Sequence, residues 1–373
     1  MKRETAIKVA VAAVALVGAA AWLSRSRDLS PERERGAPML PGLEAKADEI
    51  AAVEVLRGNA TVRLDRQPDG SWALASNDSY PARKELVRAM LVSIAGLTVD
   101  DRMTAKKERH GELGLAWPDA EGKARMVRFL AAAPDARPVA EIVLGDERFA
   151  PDAVFARLPG QDQTWRTLGR VQVPYDAMGW LDRTLLALPN GETQRMGFDG
   201  LTLAAPAGDA DPASGPRPAW IATVPDEQAA GWSGPQRDSA TTGLPSFLER
   251  LEFDGVRRAR ADRAPDPKWS IDAETKTATV ALRGREEADG VWFTLTALPR
   301  PGFTPPEPPK YEGDPHVPDW AKLDAACAGW EFKLPQWKAD TLRRMRAADA
   351  APADGGLPMG DALPIGEPAV AAP

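Results

Sequence analysis

Cysteine and histidine, the side chains that most often run chemistry, are scarce in this chain: one cysteine, Cys327, and two histidines, His110 and His316. A thiol beside an imidazole can act as nucleophile and base, and Cys327 with His316 is the one such pairing close in sequence. A reactive thiol also needs an electropositive niche. Cys327 lies instead between alanines in a helical stretch, which reads as a small buried hydrophobe. A single cysteine excludes an internal disulfide, and with two distant histidines it completes no zinc-finger or iron–sulfur ligand set. No catalytic, cofactor-binding or metal-ligating residue is assigned, and no cofactor is expected.

Carboxylates and hydroxyls form no motif either. The chain has no G-x-x-x-x-G-K-[ST] phosphate cradle, no G-x-S-x-G elbow and no H-E-x-x-H pair. Asp100-Asp101 falls where a helix is left and reads as a solvated turn. Asp209 and Asp211 lack the spacing and terminal glutamate of an EF-hand and read as linker. The run Arg257-Arg258-Ala259-Arg260 is too short for a nucleic-acid site and reads as a charged strand or loop face. With a net charge of −7 there is no global basic field for nucleic acid.

Tryptophan is the unusual component, with 12 against three tyrosines. Trp72, Trp220 and Trp292 fall on alternating strands and read as core. Trp232, Trp320, Trp330 and Trp337 fall in or near looser segments, where an exposed indole marks a binding surface. Core or lid packing is the leading use of these indoles, and a binding surface on these four residues, stacking a ligand or sugar, is the alternative.

The elements that position these residues follow from apolar periodicity. The 373 residues, 43% hydrophobic and 27% charged, are enough for more than one buried core. Val53 and Val55, then Val62 and Leu64, then Trp72 and Leu74 alternate with polar neighbours, predicting three short strands. Gly58-Asn59 and Pro68-Asp69-Gly70 supply tight turns, so the strands form an antiparallel meander. A helix is predicted over 82–97. Asp78 or Ser79 caps it, Pro81 lies in its first turn, and Leu86, Val87, Met90, Leu91, Ile94 and Leu97 form one apolar face ended by Gly96. Strands are predicted at 126–130, 139–144, 154–158 and 165–168, and a second helix at 176–188.

The order then starts again. Strands are predicted at 196–203 and 220–224, a helix at 244–253, and strands at 277–282 and 291–298. LVSIAGLTVDDR (91–102) matches LERLEFDGVRRAR (248–260), and ARMVRFL (124–130) matches TATVALR (277–283). The expected fold is α+β: two related modules of antiparallel sheet packed with helices, the second a structural repeat with looser insertions at 205–218 and 226–243. The modules span 49–190 and 191–300. A Pro-rich connector and C-terminal coda follow at 301–346, and a disordered tail at 347–373.

Residues 1–29 read as a signal or membrane anchor. Lys2 and Arg3 precede an apolar stretch, 6–23, interrupted by Lys8. Its uncharged part, 9–23, is short of the ~20 residues of a comfortable span, and Ala19-Ala20-Ala21 offers a cleavage site, so a cleaved, secreted form is the alternative to a retained anchor. Residues 30–48, charged and Pro-containing, read as a tether. Basic residues flank both ends of the apolar stretch, so charge count leaves orientation open. Export is expected, giving a single-pass inner-membrane protein with its folded part in the periplasm.

Several stretches together resemble domain-of-unknown-function family 4340, a group of mostly bacterial envelope proteins. They are the opening I..VEV…VRLDR…GSWAL at 50–74, the helix at 82–97, EIVLGD (141–146), VFARLPG, WLDRTLLAL (180–188) and GWEFKLPQWKADTL near the end. The family has no agreed activity or catalytic residues to carry over. Its members are often encoded beside ABC-transporter and gliding-motility-like auxiliary proteins, which implies an accessory role in the envelope. The expected function is a non-catalytic envelope accessory or scaffold with a protein partner and no nucleic acid. The alternatives are a periplasmic ligand-binding protein using a cleft between the modules, and an unrecognised hydrolase.

Overall fold

The computed structural model describes residues 35–117, 123–133, 137–206, 220–223, 234–259, 269–311 and 313–347. The anchor expected at 6–23 and almost all of the tail expected at 347–373 lie outside them. Among the described residues no helix is long and apolar enough to cross a membrane. The chain divides into two compact units, Met1–Asp182 and Arg183–Pro373.

The first unit opens with the expected meander: β1 (Ala52–Arg57), β2 (Ala60–Arg66), β3 (Trp72–Leu74) and a short edge strand β4 (Tyr80–Ala82). Gly58 (φ +54°) and Gly70 (φ +81°) take the left-handed backbone of the two tight turns, which costs a residue without a Cβ nothing. Helix α1 (Lys84–Ala95) follows, its buried side drawn from Val87, Met90 and Ile94. β5 (Thr98–Arg102), β6 (Arg125–Leu130), β7 (Ala140–Phe149), β8 (Asp152–Arg157) and β9 (Thr164–Leu168) complete an antiparallel sheet of order β4-β3-β2-β1-β6-β7-β8-β9-β5.

The second unit begins with β10 (Thr184–Ala187), then β11 (Thr193–Phe198), β12 (Leu201–Ala204), β13 (Ile221–Thr223) and helix α2 (Gly234–Glu249). β14 (Arg250–Glu252), which pairs with β10, and β15 (Gly255–Arg258) lead to β16 (Trp269–Thr275), β17 (Ala278–Glu287) and β18 (Gly290–Pro299). Helix α3 (Trp320–Cys327), β19 (Trp330–Lys333) and helix α4 (Gln336–Ala347) end the unit. Its main sheet runs β13-β12-β11-β16-β17-β18-β19-β15. The stretch read as a coda thus supplies a strand between β18 and β15.

Element by element the two orders correspond. A meander (β1–β3, β11–β13) leads to a helix (α1, α2) and to a strand at the far edge (β5, β15). A second meander (β6–β9, β16–β19) then fills the gap. A leading segment pairs with the chain at or just beyond the helix end in both: Val99 N–H donates to the Ala37 carbonyl (2.8 Å) in the first unit, and Leu188 N–H to the carbonyl of Glu249, the last residue of α2 (2.8 Å), in the second. Of the two sequence matches, the helix end with its exit strand joins equivalent elements. The other joins β6 to β17, one strand beyond its counterpart β16.

Several local expectations are corrected. Asp78 and Ser79 do not cap α1; both take positive φ in a turn before β4, and Pro81 sits in that edge strand, where a missing N–H is harmless. The helix expected at 176–188 is a 3-10 turn, Met178–Trp180, followed by β10. Leu186, Ala187 and Leu188 are buried in succession, as in a strand covered on both sides. The single strand expected at 196–203 is a hairpin, because Asp199 and Gly200 both adopt positive φ. Helix α2 starts ten residues ahead of the expected 244, inside the stretch read as a loose insertion, and ends at Glu249 rather than 253. Burial of Ala240, Leu244, Phe247 and Leu248 at helical spacing outweighs its Gly, Thr and Pro content. Asp100 and Asp101 lie on β5, not in a solvated turn, and Asp100 is paired with Arg166 at 2.5 Å.

Candidate functional site

The four tryptophans proposed as a surface separate. Trp232 lies outside the described residues. Trp320 is fully buried at the start of α3, its indole N–H donating to the Thr277 hydroxyl (3.0 Å). Trp330 is buried on β19, with the Arg258 guanidinium 3.8 Å from its ring centre. Both are walls of the second unit, because α3 and β19 are built into its sheet rather than loosely attached, so neither forms an exposed surface. Trp337, on α4, is 64% exposed. Of the expected core tryptophans, Trp72 and Trp292 are buried and Trp220 is half-buried.

Cys327 is buried at the end of α3, where burial, with a smaller contribution from Asp324, pushes its thiol up to about 12. At pH 8 the thiolate fraction is about one in ten thousand. A disulfide reagent is therefore expected to leave the native chain unmodified and to react on denaturation; fast native labelling would contradict the buried placement. His110 is buried on the 3-10 turn Lys107–Leu113, with Nε2 2.8 Å from the Asp162 carbonyl, a structural tie. His316 sits outside regular structure with Nδ1 2.9 Å from the Asp314 carbonyl.

Most charges on the sheets are spent on one another. In the first unit Arg63, Glu54, Arg128 and Glu141 stand directly opposite on β2, β1, β6 and β7, joined at 3.0, 3.4 and 2.7 Å. In the second, Arg257 and Arg285 share two carboxylates. Glu331, 3% exposed, takes Arg285 at 2.6 Å and Arg257 at 2.8 Å, and Glu287 takes Arg257 at 2.6 Å and Arg285 at 2.7 Å. The Arg257 guanidinium also lies 3.8 Å from the Trp292 ring centre. The basic run read from the sequence is thus absorbed: Arg257 is in this cluster and Arg258 is on Trp330, with Arg260 outside the described residues.

Hydrogen bonds from Arg257 and Arg285 hold Glu287 down at about 2, against an ordinary 4.5. A folded pKa below the unfolded one stabilises fully above 4.5, and the gain is lost as pH falls towards 2. The melting temperature is expected to fall across that window, and Glu287→Gln to flatten the slope. An unchanged slope in the variant would contradict the pairing.

One groove collects side chains that are not spent in this way. Helices α2 and α4 meet at Gly243, where an added Cβ would stand 3.3 Å from the Thr341 methyl. Beside that contact lies a cavity of about 490 Å³, lined by Thr242, Ser246, Trp337, Lys338, Thr341 and Arg344 among others. Lys338 is 1% exposed, and its Nζ donates to the Phe247 carbonyl in the last turn of α2 (2.6 Å). The Phe247 and Trp337 rings lie 4.6 and 4.9 Å from that nitrogen. Burial pushes the ammonium down to about 8, while Glu252 and Glu249 pull it up. The helix C-terminus also favours the cation, so Lys338 is mainly protonated at neutral pH. Arg344 is exposed and donates to the Thr341 hydroxyl (3.2 Å).

Sequence reasoning singled out Trp337 but missed Lys338 and Arg344. The signal for Lys338 was present: it precedes Leu342 and Met345 by four and seven residues, so a lysine occupies the buried stripe of α4.

A family model described as Domain of unknown function (DUF4340) matches residues 72–268, from β3 of the first unit to the residue before β16 of the second. No curated protein and no solved structure matches the chain. Since that match covers more than half of the sequence, the chain belongs to the DUF4340 family.

Proposed function

We propose that this chain is a non-catalytic accessory or scaffold protein of a bacterial envelope. Residues 6–23 hold it at the inner membrane, both units face the periplasm, and it works beside an ABC-transporter or gliding-motility-like complex. The two units arose by duplication, which the matching strand orders support. The acids and bases on the sheets serve structure. A carboxyl held at about 2 is no proton donor at neutral pH, and a thiol at about 12 is no nucleophile.

The observation that carries this reading is α4, a helix after β19 with no counterpart after β9, which displays an exposed Trp337 on the rim of a groove. Exposed tryptophan beside cations is the composition of an interface anchor, not of a solvated helix face. The reading is tested by affinity purification of the full chain from native membranes. A discrete protein is expected to co-purify and to be lost with Trp337→Ala, which removes an exposed side chain and leaves the core intact. Recovery of the chain alone, or from the soluble cytoplasmic fraction, would overturn it.

A further inference from the structure

We propose that residues 304–311, apart from the α4 groove, form a second docking segment: an open polyproline helix read by a partner protein whose groove is lined with aromatic rings and carries an acid for Lys310. The segment lies in the connector between β18 and α3, and the length of that connector is the first argument. At one end Arg300 N–H donates to the Thr277 carbonyl (2.8 Å), and at the other the Trp320 indole N–H donates to the Thr277 hydroxyl (3.0 Å). Both ends thus rest on one residue, and a far shorter link would join them. The described part of 301–319 lies outside helices and strands. In compact domains, loops of more than about 12–15 residues without regular structure are uncommon and are where binding segments occur.

Conformation is the second argument. Pro305, Pro306, Pro308 and Pro309 fix their own φ at about −65°, and Thr304, Pro305, Glu307 and Pro308 are each turned away from helical backbone by the proline that follows. The run is therefore a polyproline helix, with about three residues per turn. That period sorts its side chains onto three edges. Phe303 and Pro309, at the two ends of one edge, are half-buried, so this edge turns towards the unit. Pro305, Pro308 and Tyr311 share the next edge and are all exposed, the tyrosine at 62%. Thr304, Glu307 and Lys310 form the third, also exposed. Among the described residues none hydrogen-bonds to residues 304–310 or pairs with their charges, and Lys310 Nζ rests 5.2 Å from the Tyr311 ring centre.

The partner's chemistry follows from these edges. Proline has no N–H, so strand addition, which needs a ladder of donors, does not read this run. Two proline rings and a tyrosine on one open edge fit between aromatic rings, and a helix formed in advance loses little freedom on binding. Glu307 and Lys310, one turn apart, carry opposite unspent charges. These fix the direction of the segment in the groove, with the partner's acid at the Tyr311 end.

The test has two arms. In the first, a labelled WW domain that reads Pro-Pro-x-Tyr, the spacing of Pro308, Pro309 and Tyr311, is the aromatic-groove probe, titrated with the purified full chain by fluorescence anisotropy. Saturable binding is expected, weakened at least about tenfold by Pro308→Ala and by Tyr311→Ala and unchanged by Trp337→Ala. Both loop changes remove exposed side chains, so the melting temperature is expected to hold. No binding, or binding indifferent to Pro308→Ala and Tyr311→Ala, would overturn the open polyproline edge. In the second arm, benzoylphenylalanine replaces Glu307 in isolated native membranes. A discrete crosslinked protein is expected that excess WW domain displaces, that Lys310→Glu abolishes and that persists with Trp337→Ala. No protein product, or a product that the WW domain leaves in place or that Lys310→Glu does not change, would overturn the partner's chemistry. A product lost with Trp337→Ala would overturn a site separate from the α4 groove.

Discussion

Gly284→Val is expected to unfold the second unit at temperatures where the native chain is folded. Gly284 on β17 stands directly opposite Trp269 on β16, and the indole lies across the glycine. A Cβ at that position would overlap three carbons of the ring. Trp269 is 4% exposed, so the ring must leave a closed core or the two strands must part. Overpacking alone costs about 1–3 kcal/mol and loss of a buried tryptophan about 3–5. The larger figure, about 3–5 kcal/mol, is a large share of the stability of a single domain. Urea denaturation followed by tryptophan fluorescence reads it directly. Trp269→Leu is expected to remove much of the penalty of Gly284→Ala, a coupling that a double-mutant cycle isolates. If Gly284→Ala costs under about 0.5 kcal/mol, the value of an ordinary surface change, the indole does not lie on the glycine.

The second large effect is expected from Glu331→Ala. Its carboxylate is buried between Arg257 and Arg285, so truncation leaves two largely buried guanidiniums sharing Glu287 alone. Breaking a buried pair from one side costs about 3–5 kcal/mol, because the desolvated partner charge remains. Glu141→Ala in the first unit removes a carboxylate from the more open row on that sheet, and there about 1 kcal/mol or less is expected. The contrast between the two variants, measured in the same denaturant series, is the informative quantity. Equal losses would mean that burial does not govern these clusters.

What was legible in the sequence was local. β1, β2 and β3 follow from strict alternation bounded by glycine turns, and α1 from apolar residues at helical spacing. Both signals lie within about a dozen neighbouring residues. The repeat was legible where helix end and exit strand recur together. It slipped by one strand where only a short alternating run was matched, since any such run resembles any other on one sheet face. The run 180–188 misled for a related reason: consecutive apolar residues suit a buried strand as well as a helix, and pairing with β14, far along the chain, decides between them.

The candidate groove was only partly legible. Trp337 could be named from composition, but its exposure and the burial of Trp320 and Trp330 depend on how α3, β19 and α4 are built into the second unit. Arg257 and Glu331 are separated by 74 residues and meet only through the pairing of β15 with β19. Side chains that long-range strand pairing brings together carry no mark in a single sequence. Lys338 is the exception, a charge placed in an apolar stripe.

Photocrosslinking in native membranes tests the docking reading most directly. Benzoylphenylalanine in place of Thr242 puts the reactive group on the groove, and in place of Asp272 puts it on an exposed strand position of the same unit. The expected result is a discrete crosslinked protein from position 242, absent from position 272 and lost when Trp337→Ala is added. No protein product from position 242, or the same product from both positions, would contradict a partner seated between α2 and α4.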